Sequence, residues 1–416
     1  MSADLAPSPA VVPLWRNQDY MLLWSGQAIS TLGSGISQLA LPLLVLGLTG
    51  SPAQAGFVAA VFGLPYLIIS LPAGALVDRW NRKRTMIICD TIRTMNAASI
   101  PLAAALGHLL AAQLYVNAAV EGTAFVFFNV AEVAALPRVV AKSQIPDASS
   151  QNQAAQAGTA LVSPPLGGFI FQALGHTVPF LFDAVSYAVS VLSLFFIRRE
   201  FQLERTVRQQ HLLAEIKEGL GWLWNQPLIR YMTILTGGLN FAGNATFLIL
   251  LILAKQRGAS PTLIGIMFAI AAIGGLGGSL VAPRIQRRFG YAQVIITTVW
   301  IGALVTPLFV LAPNPIVLGI LGAIAFLTGP IYNAVQFSYR VSLIPDELQG
   351  RVNSAVRMVA FGAIPLGTAL AGVLIQSIGA TPAVLIFAAV EIVLAILTSA
   401  NPHVRHARSI PETLPA

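Results

Sequence analysis

Glu121 stands near the middle of an apolar run covering about residues 110–136. An acid at that depth is costly and functional by default, because it can take up and release a proton as its surroundings change. Asn117 and Gln113 precede it by four and eight residues and share its helical face. Glu391, central in the run at about 381–399, is a second candidate for carrying a proton. Asp90 and Arg93 sit one turn apart near the start of the run at about 85–106, a spacing that suits an internal ion pair. Asp183, nearer the outer end of its run, is placed to cap or pair, and Glu132 to hydrogen bond. For Glu121 two readings stand side by side: a coupling-proton carrier, or a neutral, hydrogen-bonded acid in the packing.

Other chemistry is missing from the pattern. The five histidines (His108, His176, His211, His403 and His406) fall in expected loops or tails. The single Cys89 allows neither an internal disulfide nor a cysteine metal cluster. No catalytic constellation and no phosphate-binding loop of the Walker type is present, so neither an enzyme, a metal nor a cofactor is expected. An ion gradient or passive exchange remains as the energy source.

The elements that must position these residues are membrane helices. Hydrophobic residues make up 56% of the chain and charged ones 10%, where soluble domains carry roughly a quarter charged. Spans are predicted at about 20–47, 53–77, 85–106, 110–136, 154–174 and 178–197. Six more follow at about 228–253, 261–283, 291–311, 315–339, 353–378 and 381–399, lengths that suit a 30 Å hydrocarbon core. Twelve spans put both termini on one side. Of 24 Lys and Arg, Lys255 and Arg257 alone then fall on the outer face, which marks the other face as cytoplasmic. The net charge of +8 is scattered through short loops, so nucleic-acid binding is not expected. Residues 1–13 lack a basic n-region and are read as a tail, not a cleavable signal. Residues 198–227 form the long polar segment. Within it, Leu212, Leu213, Ile216, Leu220, Leu223 and Trp224 recur at helical spacing, as in an amphipathic helix lying on the inner interface.

The chain also repeats itself. Gly74 to Arg84 packs Asp78, Arg79, Arg82, Lys83 and Arg84 into one turn, and a degraded copy runs from Gly278 to Arg288, 204 residues later. Gly168 and Gln172 recur as Gly372 and Gln376 at the same offset, and Asn129 and Glu132 as Asn333 and Gln336. Two polar stripes at three- and four-residue spacing accompany these repeats. One holds Gln27, Ser30, Thr31, Ser34, Ser37 and Gln38, the other Thr233, Thr236, Asn240 and Asn244. They line a cavity or bond helix to helix.

Gly74-x-Leu76-x-Asp78-Arg79-x-x-Arg82-Lys83 resembles the loop motif between helices 2 and 3 of the major facilitator superfamily, with Asn81 where that family usually has Gly. Ser163-Pro164-Pro165-Leu166-Gly167-Gly168 resembles the Gly-Pro-x-x-Gly-Gly motif of its drug exporters, with Ser163 replacing the first Gly. Glu218-Gly219-Leu220-x-x-Leu223 resembles the linker of its macrolide-efflux and enterobactin-exporter branch. The resemblance implies an all-α membrane protein of twelve helices in two six-helix repeats, residues 14–197 and 228–400. The linker over 198–227 and the tails at 1–13 and 401–416 complete it. The implied site is a midplane cavity using Gln27, Ser34, Gln38, Asn117, Asn240 and Asn244. The implied gate uses Gly74, Asp78, Arg79, Arg82, Lys83, Arg138, Pro164, Gly167 and Gly168. Asp78 would hold the inner side shut against the helix starting near Arg351 and Arg357. The expectation is proton-driven efflux of an amphiphilic drug, macrolide or siderophore by a plasma-membrane monomer in contact with lipid. An importer or facilitator of a polar nutrient, and a non-transporting sensor, are the alternatives.

Overall fold

A computed structural model describes residues 12–202, 212–345 and 348–407, without the side chains of Leu71, Ala75, Asp78 and 212–217. Among these residues all regular structure is helical. The first six long helices are α1 (Gln18–Thr49), α2 (Pro52–Arg79), α3 (Arg82–Ala105), α4 (Ala111–Val139), α5 (Ile145–Ala173) and α6 (Val178–Phe196). The linker helix α7 (Leu212–Asn225) follows. Then come α8 (Pro227–Gln256), α9 (Pro261–Arg288), α10 (Tyr291–Val305, continued by a 3-10 turn to Val310), α11 (Pro315–Leu343), α12 (Gln349–Ile378), α13 (Ala380–Ala400) and the short α14 (Pro402–Arg405).

Turns are short where a stop adjoins a start. Gly50, at φ 65°, ends α1, and the Ser51 hydroxyl then accepts from Gln54 N while Pro52 opens α2. Ser260-Pro261 and Asn314-Pro315 open α9 and α11 in the same way. Asn81, which departs from the family's usual Gly, caps α3 by accepting from Arg84 N at 3.0 Å.

Ten helices are long and apolar enough to cross a bilayer among the described residues: α1, α2, α4, α6 and α8 to α13. The other two expected spans, α3 and α5, fall short for a visible reason. α3 spends positions on Asp90, Arg93 and Asn96, and α5 opens with Gln151, Asn152, Gln153 and Gln156. The polar residues of α3 face protein, not lipid: Asp90 is 0% exposed and Arg93 5%.

Packing divides the helices. α1 lies on α5 and α6, α2 on α4, and α3 on α4 and α6; α8 lies on α12 and α13, α9 on α11, and α10 on α11 and α13. The two groups meet where α2 crosses α12 and α5 crosses α9. Both crossings rest on glycine. A Cβ at Gly56 would stand 2.6 Å from Thr368 O and 2.9 Å from Gly372 Cα; one at Gly372 would stand 2.7 Å from Pro52 O. At the other crossing a Cβ on Gly265 would meet Pro164 O, and one on Gly168 would meet Pro261 O. Thr368 and Gly372 follow Pro164 and Gly168 by 204 residues, so the two contacts use repeated positions. Both crossings lie toward the end bearing the α1–α2 and α8–α9 turns. Toward the other end, Gly74, Gly158 and Gly277 face open space.

Candidate functional site

A dense buried polar cluster lies inside the first helix group and draws on α1, α3, α4 and α6. Arg93 Nε donates to Glu121 Oε1 at 2.7 Å, and its Nη2 donates to the Tyr187 hydroxyl at 2.6 Å. Arg93 Nη1 reaches Asp90 Oδ1 at 3.3 Å. The Tyr187 hydroxyl contacts Glu121 Oε1 at 2.7 Å and the Ser34 hydroxyl at 2.7 Å. Ser190 donates to Asp90 Oδ2 at 2.6 Å. The guanidinium stacks over the Tyr187 ring, 4.0 Å from its centroid. Asp183, one turn before Tyr187, is 5% exposed, and its Oδ1 has no hydrogen-bond partner. A Cβ on Gly33 of α1 would sit 3.0 Å from that oxygen.

The cluster therefore gathers three carboxyls (Asp90, Glu121 and Asp183) around one guanidinium. One carboxylate is balanced by Arg93. Glu121, at 19% exposure, is the most accessible carboxyl of the pairs with Arg93. The short Asp90–Arg93 pair expected from spacing is present but incomplete as a description, since its cation is shared with α4 and α6. A polar stripe on α6 (Asp183, Ser186, Tyr187, Ser190, Ser193) is the sequence signal that would have pointed there.

The remaining candidates are placed as follows. Asn117 does not line open space: its Nδ2 donates to Asn96 Oδ1 at 2.6 Å and Ser99 Oγ at 3.0 Å, clamping α4 to α3. Asn240 donates to Ala360 O of α12 at 2.8 Å, and Asn244 to Asn240 O at 3.1 Å. Gln38 is exposed; Gln27 is half-buried, with no partner at Nε2. Ser34 joins the cluster. Arg82 Nη1 donates to Ala134 O at 2.9 Å and Lys83 Nζ to Ile197 O at 2.6 Å, so both bind carbonyls at the ends of α4 and α6. Arg79 and Arg138 are exposed. The side chain of Asp78 lies outside the described residues. Gly167 rests on Ile36 of α1, with 2.9 Å from a built Cβ to the carbonyl oxygen. Pro164 and Gly168 belong to the α5–α9 crossing described above.

Glu391 is separate from the cluster. It is 7% exposed on α13 and accepts at Oε2 from the Thr306 hydroxyl at 2.5 Å. Thr306→Val is expected to lower stability by about 1–3 kcal/mol, because it leaves a buried acceptor unsatisfied. Glu391→Gln keeps an acceptor for Thr306 and should cost less. Thermal unfolding of the detergent-solubilised protein distinguishes the two.

Residues 23–334 and 232–414 match the family model described as Major Facilitator Superfamily. The chain belongs to that superfamily. The resemblance read from residues 74–84 is thereby borne out, and the protein is a multi-pass membrane transporter. It is similar to the multidrug efflux pump Tap of Mycolicibacterium fortuitum, 29% identical over 359 residues, covering 83% of this chain and 87% of the relative. It is also similar to macrolide efflux protein A of Streptococcus pyogenes, 23% identical, covering 88% and 91%. Among solved structures, the nucleoside transporter NupG (D323A mutant) superimposes with a TM-score of 0.75 at 17% identity, covering 91% of this chain and 98% of that one. A bacterial homologue of the iron transporter ferroportin in an inward-facing state gives 0.73 at 17% identity, covering 94% and 100%. These two establish the fold alone.

Proposed function

We propose that this chain is a secondary active transporter that exports an amphiphilic small molecule, of drug, macrolide or siderophore-like chemistry, in exchange for protons. The observation that carries this reading is the buried surplus of carboxyls around Arg93, with Glu121 as the acid that loads and releases the coupling proton. Glu391 is a second, separate proton site. The efflux activities named for relatives at 29% and 23% identity supply the direction and the substrate class.

In this reading α1–α6 and α8–α13 all span the membrane, as two six-helix repeats over residues 14–197 and 228–400. α3 and α5 span because their polar residues face protein or water. The repeated glycine contacts at the two crossings support the duplication. Residues 198–227 are a cytoplasmic linker, and the tails at 1–13 and 401–416 lie on the same side of the plasma membrane. The protein works as a monomer. The crossings close the outer end, so the conformation is open to the cytoplasm. Substrate enters from there and meets Gln27, Gln38, Asn240 and Asn244. Release outward requires the α2–α12 and α5–α9 crossings to part while Asp78 and its basic neighbours Arg79 and Arg138 close the inner side.

The test uses inside-out membrane vesicles, energised by respiration and challenged with a panel of hydrophobic drugs. Proton release from the lumen on adding one compound, lost in Glu121→Gln, is the expected result. No release across the panel from vesicles that contain the inserted protein would overturn multidrug antiport.

A further inference from the structure

Three hydroxyl or carboxyl groups form a chain from α4 to α1, and its hydrogen count is restrictive. The Tyr187 hydroxyl has one proton and two acceptors at 2.7 Å, Glu121 Oε1 and Ser34 Oγ, with the Asp183 carboxyl, one turn back on α6, as a further hydrogen-bonding partner. It already accepts from Arg93 Nη2 at 2.6 Å. The Ser34 hydroxyl likewise has one proton and two acceptors, Tyr187 Oη and the carbonyl of Ser30 at 2.9 Å, one turn back on its own helix. The direction of one bond therefore sets the direction of the next.

With Glu121 ionised, Tyr187 must donate to the carboxylate, Ser34 donates to Tyr187, and the Ser30 carbonyl keeps its in-helix amide bond alone. With Glu121 protonated, the acid donates to Tyr187, Tyr187 donates to Ser34, and Ser34 donates to the Ser30 carbonyl. The one covalent change is the proton gained by Glu121; the two hydroxyls merely rotate. A serine that bonds back to the carbonyl four residues earlier loosens and bends its helix. We propose that Tyr187 is a positioning residue that relays the protonation state of Glu121 through Ser34 to the backbone of α1.

This rests on Glu121 as the proton carrier. The charged and titratable groups facing it are Arg93 and Asp90 from α3, Tyr187 and Asp183 from α6, and Glu132 further along α4, which acts through Asp90. α1 contributes the hydroxyls of Ser34 and Ser37, and α2 contributes apolar Phe62 and Pro65 beside Gly122. α1 is one of the helices whose polar face is proposed to meet substrate, so the relay connects proton binding to the cavity wall.

Hydrogen exchange in the α1 segment Gln27–Gln38 tests it without a substrate. The full chain is measured in lipid nanodiscs at acid and alkaline pH, with the intrinsic pH dependence of exchange removed. The wild type is expected to exchange about fivefold faster in this segment at acid pH, the effect of roughly one hydrogen bond. Tyr187→Phe, which keeps the ring over Arg93, and Ser34→Ala, which leaves the Arg93–Glu121 pair intact, should each abolish the difference, as should Glu121→Gln. A pH difference lost in Glu121→Gln but kept in both Tyr187→Phe and Ser34→Ala overturns the relay and spares the proton site. A difference absent from the wild type also overturns the relay alone, whereas one kept in Glu121→Gln overturns the assignment of Glu121 as well.

Discussion

Arg93→Met is expected to destabilise the first helix group by about 3–5 kcal/mol, the range for removing one partner of a buried ion pair. The magnitude follows from what is left behind. Asp90, 0% exposed, would keep one hydroxyl donor, Ser190, and Glu121 one, Tyr187. Neither would have a cation, and Asp183 lies beside them. Methionine fills the volume of the stem, so the loss is electrostatic and not a cavity effect. The measurement is the thermal unfolding midpoint of the solubilised protein, with membrane yield as a second readout. Adding Asp90→Asn and Glu121→Gln to Arg93→Met removes the orphaned charges and should recover most of the loss, a coupling read by a thermodynamic cycle in which the two acids are changed together as one arm and Arg93 as the other. Full stability of the single variant would mean that the carboxyls are already neutral and that Arg93 is not their counter-ion.

Under the proposed function, Gly168→Leu is expected to abolish export by preventing α5 and α9 from closing on each other. A Cβ at this position would meet the carbonyl of Pro261, with Pro261 C at 2.8 Å and Thr262 Cα at 3.0 Å. These are backbone atoms of α9, which cannot rotate aside as a side-chain tip does. α5 and α9 must then separate. Overpacking of about 1–3 kcal/mol at a two-state contact shifts populations by roughly 5–150-fold. Gln172 and Thr262 report the contact, since Thr262 N donates to Gln172 Oε1 at 3.2 Å. Cross-linking of Gln172→Cys to Thr262→Cys by a short bifunctional thiol reagent should be efficient in the parent and largely lost with Gly168→Leu. Gly158→Ala, on the same helix with nothing within 4 Å of its added Cβ, should cross-link and export normally. Equal cross-linking in all three would show that the crossing tolerates bulk.

The fold and the site were legible to different depths. Length, composition and the spacing of apolar runs sufficed for a helical membrane protein, and the repeated turn at 74–84 sufficed for the superfamily. Those are local or compositional properties, set by the cost of exposing charge and backbone to hydrocarbon. The caps at Ser51, Asn81 and Ser260 are local too, but it is the structure that displays them. Residue roles were less readable. Asn117 reads as a cavity residue on its helical face, yet it bonds across to Asn96 and Ser99 on α3. Asp90 and Arg93 read as a complete pair at three-residue spacing, yet Arg93 also serves Glu121 and Tyr187, 28 and 94 residues away.

The sequence by itself determined that the chain lives in a membrane, roughly where most of its helices lie and which residues could carry charge inside it, although α5 starts at Ile145, about nine residues before the apolar run that marks it. Only the tertiary structure decided that three acids surround one arginine, that Tyr187 joins α4 to α1, and that glycines bring the two helix groups into contact at one end. The physical reason is range. Helix periodicity relates residues three and four apart, whereas a buried charge is neutralised by whatever helix packs against it, and that neighbour is chosen by the fold.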